Sequence, residues 1–223
     1  MSGGDASEGV EARILGCALR HLRRDGLKRL TIVRVAEDAG MTHANVYRYF
    51  PSKIALLDRL CADWLLGIER RLGDISQAPD PADDKLERFL TFWARAMDEK
   101  ALNEPHLFAV LTDAISQGRD MAARHQQRVR DLLLRVLEEG ATTRVFTLPD
   151  VRRAEALTMD ALHRFLDPFA IQNDLAGRRA LTVGASSGDV AGAGAPAGVS
   201  GGARAARRDR LTRLVLRGLT AFR

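Results

Sequence analysis

With 223 residues, 46% hydrophobic and 28% charged, the chain has the balance of a soluble globular protein with room for two domains, which excludes a wholly disordered chain. No apolar run approaches the roughly 18 to 20 residues of a membrane span, and the opening MSGGDASEGVEAR lacks the apolar core of a signal peptide, so a cytoplasmic protein with no membrane partner is expected. The formal net charge of +5 favours a polyanionic partner, with the basic excess at both chain ends around a mildly acidic middle.

Apolar residues recur at spacings of three and four almost throughout, and strand-like alternation is nearly absent, so the expected fold class is all-α. A first helix is predicted over about Glu8 to Asp25, with Val10, Ile14, Ala18 and Leu22 on one stripe and Gly26 as its stop. Thr31 caps a short helix carrying Ile32, Val35, Ala36 and Ala39, which Gly40 ends. Thr42 opens a third helix through about Tyr49. Pro51-Ser52 then marks the break before a long fourth helix reaching about Ser76, lined by Leu56, Leu57, Leu60, Trp64, Leu65, Ile68 and Leu72.

The rigid loop from Ala78 to Ala82 is the seam where a second helical set begins, with helices at about 82–100, 104–116, 119–139 and 149–166. Of the 24 residues in 182–205, 17 are Gly, Ala or Ser, too little side-chain surface to offset the entropy of ordering, so a flexible segment is expected. The closing stretch returns to helix, with Leu211, Leu214, Val215, Gly218, Leu219 and Phe222 on one face. This organisation predicts a helix-turn-helix domain over 1–52, its first few residues disordered. A larger helical domain follows over 53–223.

Catalysis finds no support. The five histidines, His21, His43, His106, His125 and His163, form no metal-ligand spacing, and there is no His-Glu-x-x-His, glycine-rich phosphate loop or Gly-x-Ser-x-Gly elbow. Cys17 and Cys61 each fall on the apolar side of a helical pattern and read as small buried hydrophobes. A non-enzyme with neither cofactor nor metal is expected.

The informative stretch is residues 31–53, TIVRVAEDAGMTHANVYRYFPSK. Two short helices flank Gly40, and the second opens on the compact polar side chains of Thr42, His43 and Asn45 before turning aromatic at Tyr47, Tyr49 and Phe50. A helix that enters a DNA major groove by its N-terminus needs small polar groups at that end and phosphate-binding groups along its flanks. Ala18, Leu22, Gly26, Thr31, Val35-Ala36, Ala39-Gly40, Thr42, Tyr47, Phe50 and Ser52-Lys53 fall in the order and spacing of one pattern. On these residues the segment of roughly 10–57 resembles the DNA-binding domain of the TetR (tetracycline-repressor) family. The later stretch from Ala161 to Pro168 is similar, less specifically, to that family's dimerisation region.

The resemblance implies a transcriptional regulator, most often a repressor released by a small molecule. It implies that Thr31 caps the second helix and meets a phosphate. Thr42, His43 and Asn45 would face base edges or nearby phosphates, Tyr47 and Tyr49 would bond phosphates through their hydroxyls, and Lys53 would do so at the start of the fourth helix. Arg48 joins them as a DNA-binding residue, and Phe50 anchors the core. Ala44-Asn45-Val46 stands where Gly-Thr-Leu is frequent, and Arg48 precedes Tyr49 where His is often seen, so the bases read do not transfer.

A three-helix head neutralises few phosphates, so tight specific binding to double-stranded DNA calls for a homodimer on a palindromic operator. The helices near 151–166 and 208–222 are the natural interface. Phe89, Phe92, Trp93, Met97, Phe108, Leu111 and Met121 offer flexible apolar surface that suits a cavity for a small apolar or amphipathic ligand and suits a solid core equally. Trp93, Met97, His106, Phe108 and Leu111 are the ligand-binding candidates, with His106 the polar contact. The rival reading is a helical ligand-binding or protein-interaction scaffold without DNA binding.

Overall fold

The computed structural model describes the backbone of residues 3–185 and 199–220 and the side chains of 9–177 and 202–220. Every regular element among the described residues is helical: α1 (Gly3–Arg29), α2 (Ile32–Asp38), α3 (His43–Tyr49), α4 (Lys53–Gln77), α5 (Ala82–Asn103), α6 (Pro105–Ser116), α7 (Asp120–Thr142), α8 (Val151–Leu166), α9 (Pro168–Ala185) and α10 (Val199–Thr220). The chain divides into two compact units, one running up to Gly67 together with Leu102–His125, the other built from Ile68–Ala101 and the described residues from Gln126 onward.

In the first unit α1 packs on α2 and α6, and α2 packs on α3. Helices of seven residues such as α2 and α3 are too short to persist in water alone. Burial supplies what local propensity lacks: Ile14, Leu22, Val35, Val46 and Leu56 are fully buried, each contributing roughly 1.5–3 kcal/mol. The expected stop at Gly26 is a break inside α1, where φ 77° and ψ 174° interrupt the helix before it resumes through Arg29. Cys17 and Cys61 are both buried. Trp64 meets Phe108 edge to face at 6.4 Å. The Arg119 guanidinium donates to the carboxylates of Asp58 at 2.5 Å and Asp113 at 2.7 Å.

In the second unit α8 packs on α9 and α10, around a core that includes Leu86, Phe89, Met97, Val136, Leu162 and Phe165. Two cations tie helices together. Lys85, only 2% exposed, donates from Nζ to both Glu139 carboxylate oxygens at 2.6 and 2.5 Å and to the Ala78 carbonyl at 3.0 Å. Arg204 of α10 donates to Asp98, to Asp174 and to the Arg164 carbonyl, with its guanidinium carbon 4.9 Å from the centre of the Phe165 ring.

Several expectations change. α1 is recorded from Gly3, earlier than the apolar stripe indicated, while Met1 and Ser2, expected disordered, lie outside the described residues. α9 was not foreseen at all; its apolar period is diluted by Asn173, Asp174 and Gly177, and Asp174 is engaged by Arg164 and Arg204. The stretch 182–205 enters helix at both ends, through Ala185 and from Val199; 186–198 and Phe222 lie outside the described residues.

Candidate nucleic-acid interface

Two threonines fix the ends of the short helices. Thr31 and Thr42 both have extended backbones, and their hydroxyl oxygens accept from the backbone N–H of Arg34 at 3.4 Å and of Asn45 at 3.3 Å. Each therefore satisfies an amide that the first helical turn would otherwise leave open. Between the helices Gly40 takes φ 68°, a left-handed turn that favours glycine. Val46 is fully buried and Phe50 is 4% exposed, so α3 is held from behind by these two residues.

What α3 presents outward is polar. Thr42, His43 and Arg48 are exposed, Tyr47 is 46% exposed, and Asn45 and Tyr49 are half-buried. Thr31 is exposed at the start of α2. Lys53 is half-buried and already engaged, its Nζ donating to the Leu27 carbonyl at 2.8 Å. That bond places the ammonium and leaves two N–H donors for an anion. No sequence pattern announces it, because it joins residues 26 positions apart.

Behind the presented face a network of polar contacts engages the acidic residues. His21, 3% exposed, has Nδ1 3.5 Å from Asp25 and Nε2 2.7 Å from Asp38. Arg24 and Arg34 also pair with Asp25. The hydrogen bond from Arg24 holds the Asp25 carboxyl down to about 2 against the desolvation that raises it, with His21 and Arg34 adding to the lowering. Lys28 and Arg29, which sequence reasoning passed over, are exposed in the last turn of α1 and make no hydrogen bond or ion pair among the described residues. The signal was legible, a Lys-Arg doublet between the Gly26 break and the Thr31 cap.

The ligand candidates are not gathered in one unit. Trp93 and Met97 are buried in the second, whereas Phe108, Leu111 and His106 belong to the first. Phe108 and Leu111 are buried, but His106 is exposed, with its ring against Gly26. The second unit instead carries an open cleft of about 830 Å³ between the end of α4 and α5, lined by Ile75, Phe92 and Ala96 and by charged side chains including Arg71, Arg95 and Glu99. Among the described residues no group of three His, Cys, Asp or Glu could hold a metal ion. None of their helices is long and apolar enough to cross a membrane.

Two family models match the chain: bacterial regulatory proteins of the tetR family over residues 14–60, and the tetracyclin repressor-like C-terminal domain over residues 82–180. Among solved structures it is similar to a transcriptional regulator of the TetR/AcrR family from Thermobifida fusca, 18% identical with a TM-score of 0.61, the match covering 96% of this chain and 98% of that one. It is also similar to RolR in complex with resorcinol, at 19% identity and a TM-score of 0.57 over 96% and 89% of the two chains. The regulator FadR from Bacillus subtilis in complex with stearoyl-CoA is 16% identical with a TM-score of 0.55 over 94% and 97%. At such identities these likenesses speak for the fold alone. No curated protein sequence matches the chain.

Proposed function

The chain belongs to the TetR family and is a DNA-binding transcriptional regulator, and from that premise we propose that it is a cytoplasmic, non-enzymatic repressor that grips a palindromic operator as a homodimer and releases it when a small ligand binds. One observation carries the proposal: Val46 of α3 and Phe50 at its end are buried while Thr42 at its start and His43, Tyr47 and Arg48 along it stay exposed. A helix built this way can enter a major groove with its polar side chains toward base edges. Tyr47, Tyr49, Lys53 and Thr31 then hold phosphates at the groove walls, with Lys28 and Arg29 adding charge. Asn45 lies at the helix start within reach of either.

In this proposal residues 1–52 are the reading head and the rest of the chain binds ligand and partner. Exposed Leu157 on α8 and Leu214 on α10, 60% and 65% accessible, support a dimer face there. Large apolar side chains on two helices that already pack together form the kind of surface a symmetry mate covers. The bound molecules of RolR and FadR, a small phenol and a long acyl thioester, differ too much to transfer, so the ligand class proposed is apolar or amphipathic. Trp93 and Met97 are the candidates for a site within the second unit, and His106, Phe108 and Leu111 for one within the first. α4 runs unbroken from Lys53 to Gln77, and a ligand that binds two arrangements of the chain unequally shifts DNA affinity by that difference.

Selection of the full chain against a random duplex pool tests this. The proposal expects an inverted repeat whose half-sites lie about one helical turn, or a multiple, apart, with binding relieved by a member of a panel of phenols, fatty acids and acyl-CoAs. No enrichment at modest ionic strength would overturn it and leave the scaffold reading.

A further inference from the structure

The outermost line of the reading helix is formed by Ala44 and Arg48. At about 100° per residue, Ala44 and Arg48 lie two positions either side of buried Val46. Each therefore points about 160° away from it, within roughly 40° of the other. Asn45 and Tyr47 sit about 100° round, on the flanks. Exposure follows this geometry: Ala44 and Arg48 are exposed, whereas Asn45 and Tyr49 are half-buried. His43 lies nearer the inward line and owes its exposure to its place as the first residue of the helix.

Arg48 also differs in charge pairing from Arg23, Arg24, Arg34 and Arg59. Arg23 is paired with Glu104, Arg24 and Arg34 with Asp25, and Arg59 with Glu11. Arg48 makes no ion pair or hydrogen bond among the described residues. Helical side chains lean toward the N-terminus of their own helix, so Arg48 extends over Ala44 one turn earlier. Ala44 has only a methyl group to offer there, and the guanidinium has room to reach beyond the helix tip.

Resting on the DNA-binding function proposed above, we infer that Arg48 is the specificity-determining residue of the reading head and selects a guanine in each operator half-site. Its planar fork of donors matches the O6 and N7 acceptors that guanine presents in the major groove. Its position on the outward line aims it at base edges, while the flanking tyrosines face the phosphate walls. Ala44 acts as a positioning residue by keeping the path open.

The test repeats duplex selection with the full-length protein and with Arg48→Ala, Arg48→Gln and Ala44→Leu. In the wild type, one position per half-site should be held as guanine with roughly ten- to hundredfold discrimination. Arg48→Ala should erase that preference alone, keep the rest of the site and leave the dependence of affinity on salt nearly unchanged. Ala44→Leu should blunt the same position by displacing Arg48. Thermal unfolding of each variant should match wild type, since Ala44 and Arg48 are both exposed, and Arg48→Gln provides a second variant that keeps a polar side chain. Uniform weakening on every duplex with a salt slope lower by about one per half-site would make Arg48 a phosphate contact and overturn the inference. A wild type that selects no sequence would instead sink the regulator reading on which it rests.

Discussion

Replacing Gly26 with Ala places a side chain where the backbone has φ 77° and ψ 174°, a region essentially confined to glycine that costs a residue with a Cβ about 1–3 kcal/mol. A Cβ there would also lie 3.2 Å from Cε1 of His106. The two effects are separable, because the exposed His106 ring can swing away whereas the backbone angle cannot relax without redirecting the chain. Alanine also restricts the unfolded chain, which returns about 0.4–1 kcal/mol. The net loss is on the order of 1–2 kcal/mol, which at about 2–4 °C per kcal/mol for a chain of this size lowers Tm by roughly 2–8 °C. Thermal unfolding of wild type, Gly26→Ala, His106→Ala and the double variant forms a closed cycle. The double variant should be no more stable than Gly26→Ala alone. Full rescue by His106→Ala, or a Gly26→Ala protein within about 0.5 kcal/mol of wild type, would refute the claim that the backbone angle dominates.

Other perturbations probe the second unit and the charge network. Glu139→Ala strands the buried Lys85 ammonium with only the Ala78 carbonyl and should cost roughly 2–4 kcal/mol, discounted because Glu139 is 38% exposed. Lys85→Met removes the charge and should cost clearly less; urea midpoints at constant slope measure both. Gly140→Ala drives a methyl group into the ring of Phe146, itself 2% exposed, and should destabilise by about 1–3 kcal/mol in the same assay. Asp25, held down to about 2 from an ordinary 3.8, stabilises the fold in its ionised form. That contribution is fully present above pH 3.8 and is lost as pH falls through 2, so Asp25→Asn should flatten the stability profile across that window. An unchanged acid limb would contradict the assignment.

Much of the reading head was legible because its signals are local. Thr31 and Thr42 bond amides three residues on, Gly26 and Gly40 sit at positive φ, and Val46 and Phe50 fall on the buried side of a seven-residue helix. The paired roles of Lys53 and His21 were not legible, since the Leu27 carbonyl and the Asp38 carboxylate meet them only through tertiary packing. Nor was the emphasis within α3: small polar residues at a helix start draw attention to His43 and Asn45, while the buried line at Val46 puts Ala44 and Arg48 outermost. α9 escaped because three polar or small residues weaken its period, although Arg204 and Arg164 anchor it through Asp174. Trp93, Met97, Phe108 and Leu111 show the converse limit. Apolar composition marks a core and a ligand cavity alike, and these four side chains are buried in two different units.

The central claim is that the exposed face of α3 distinguishes one DNA sequence from others. Fluorescence anisotropy of the full chain on its selected duplex and on a scrambled duplex of equal length, at one fixed near-physiological ionic strength, measures that directly. The account predicts a preference of at least about a thousandfold for the selected duplex, reduced by Arg48→Ala, whereas Tyr47→Ala, at a phosphate contact, weakens binding to both duplexes alike. Equal affinity for both duplexes would contradict it.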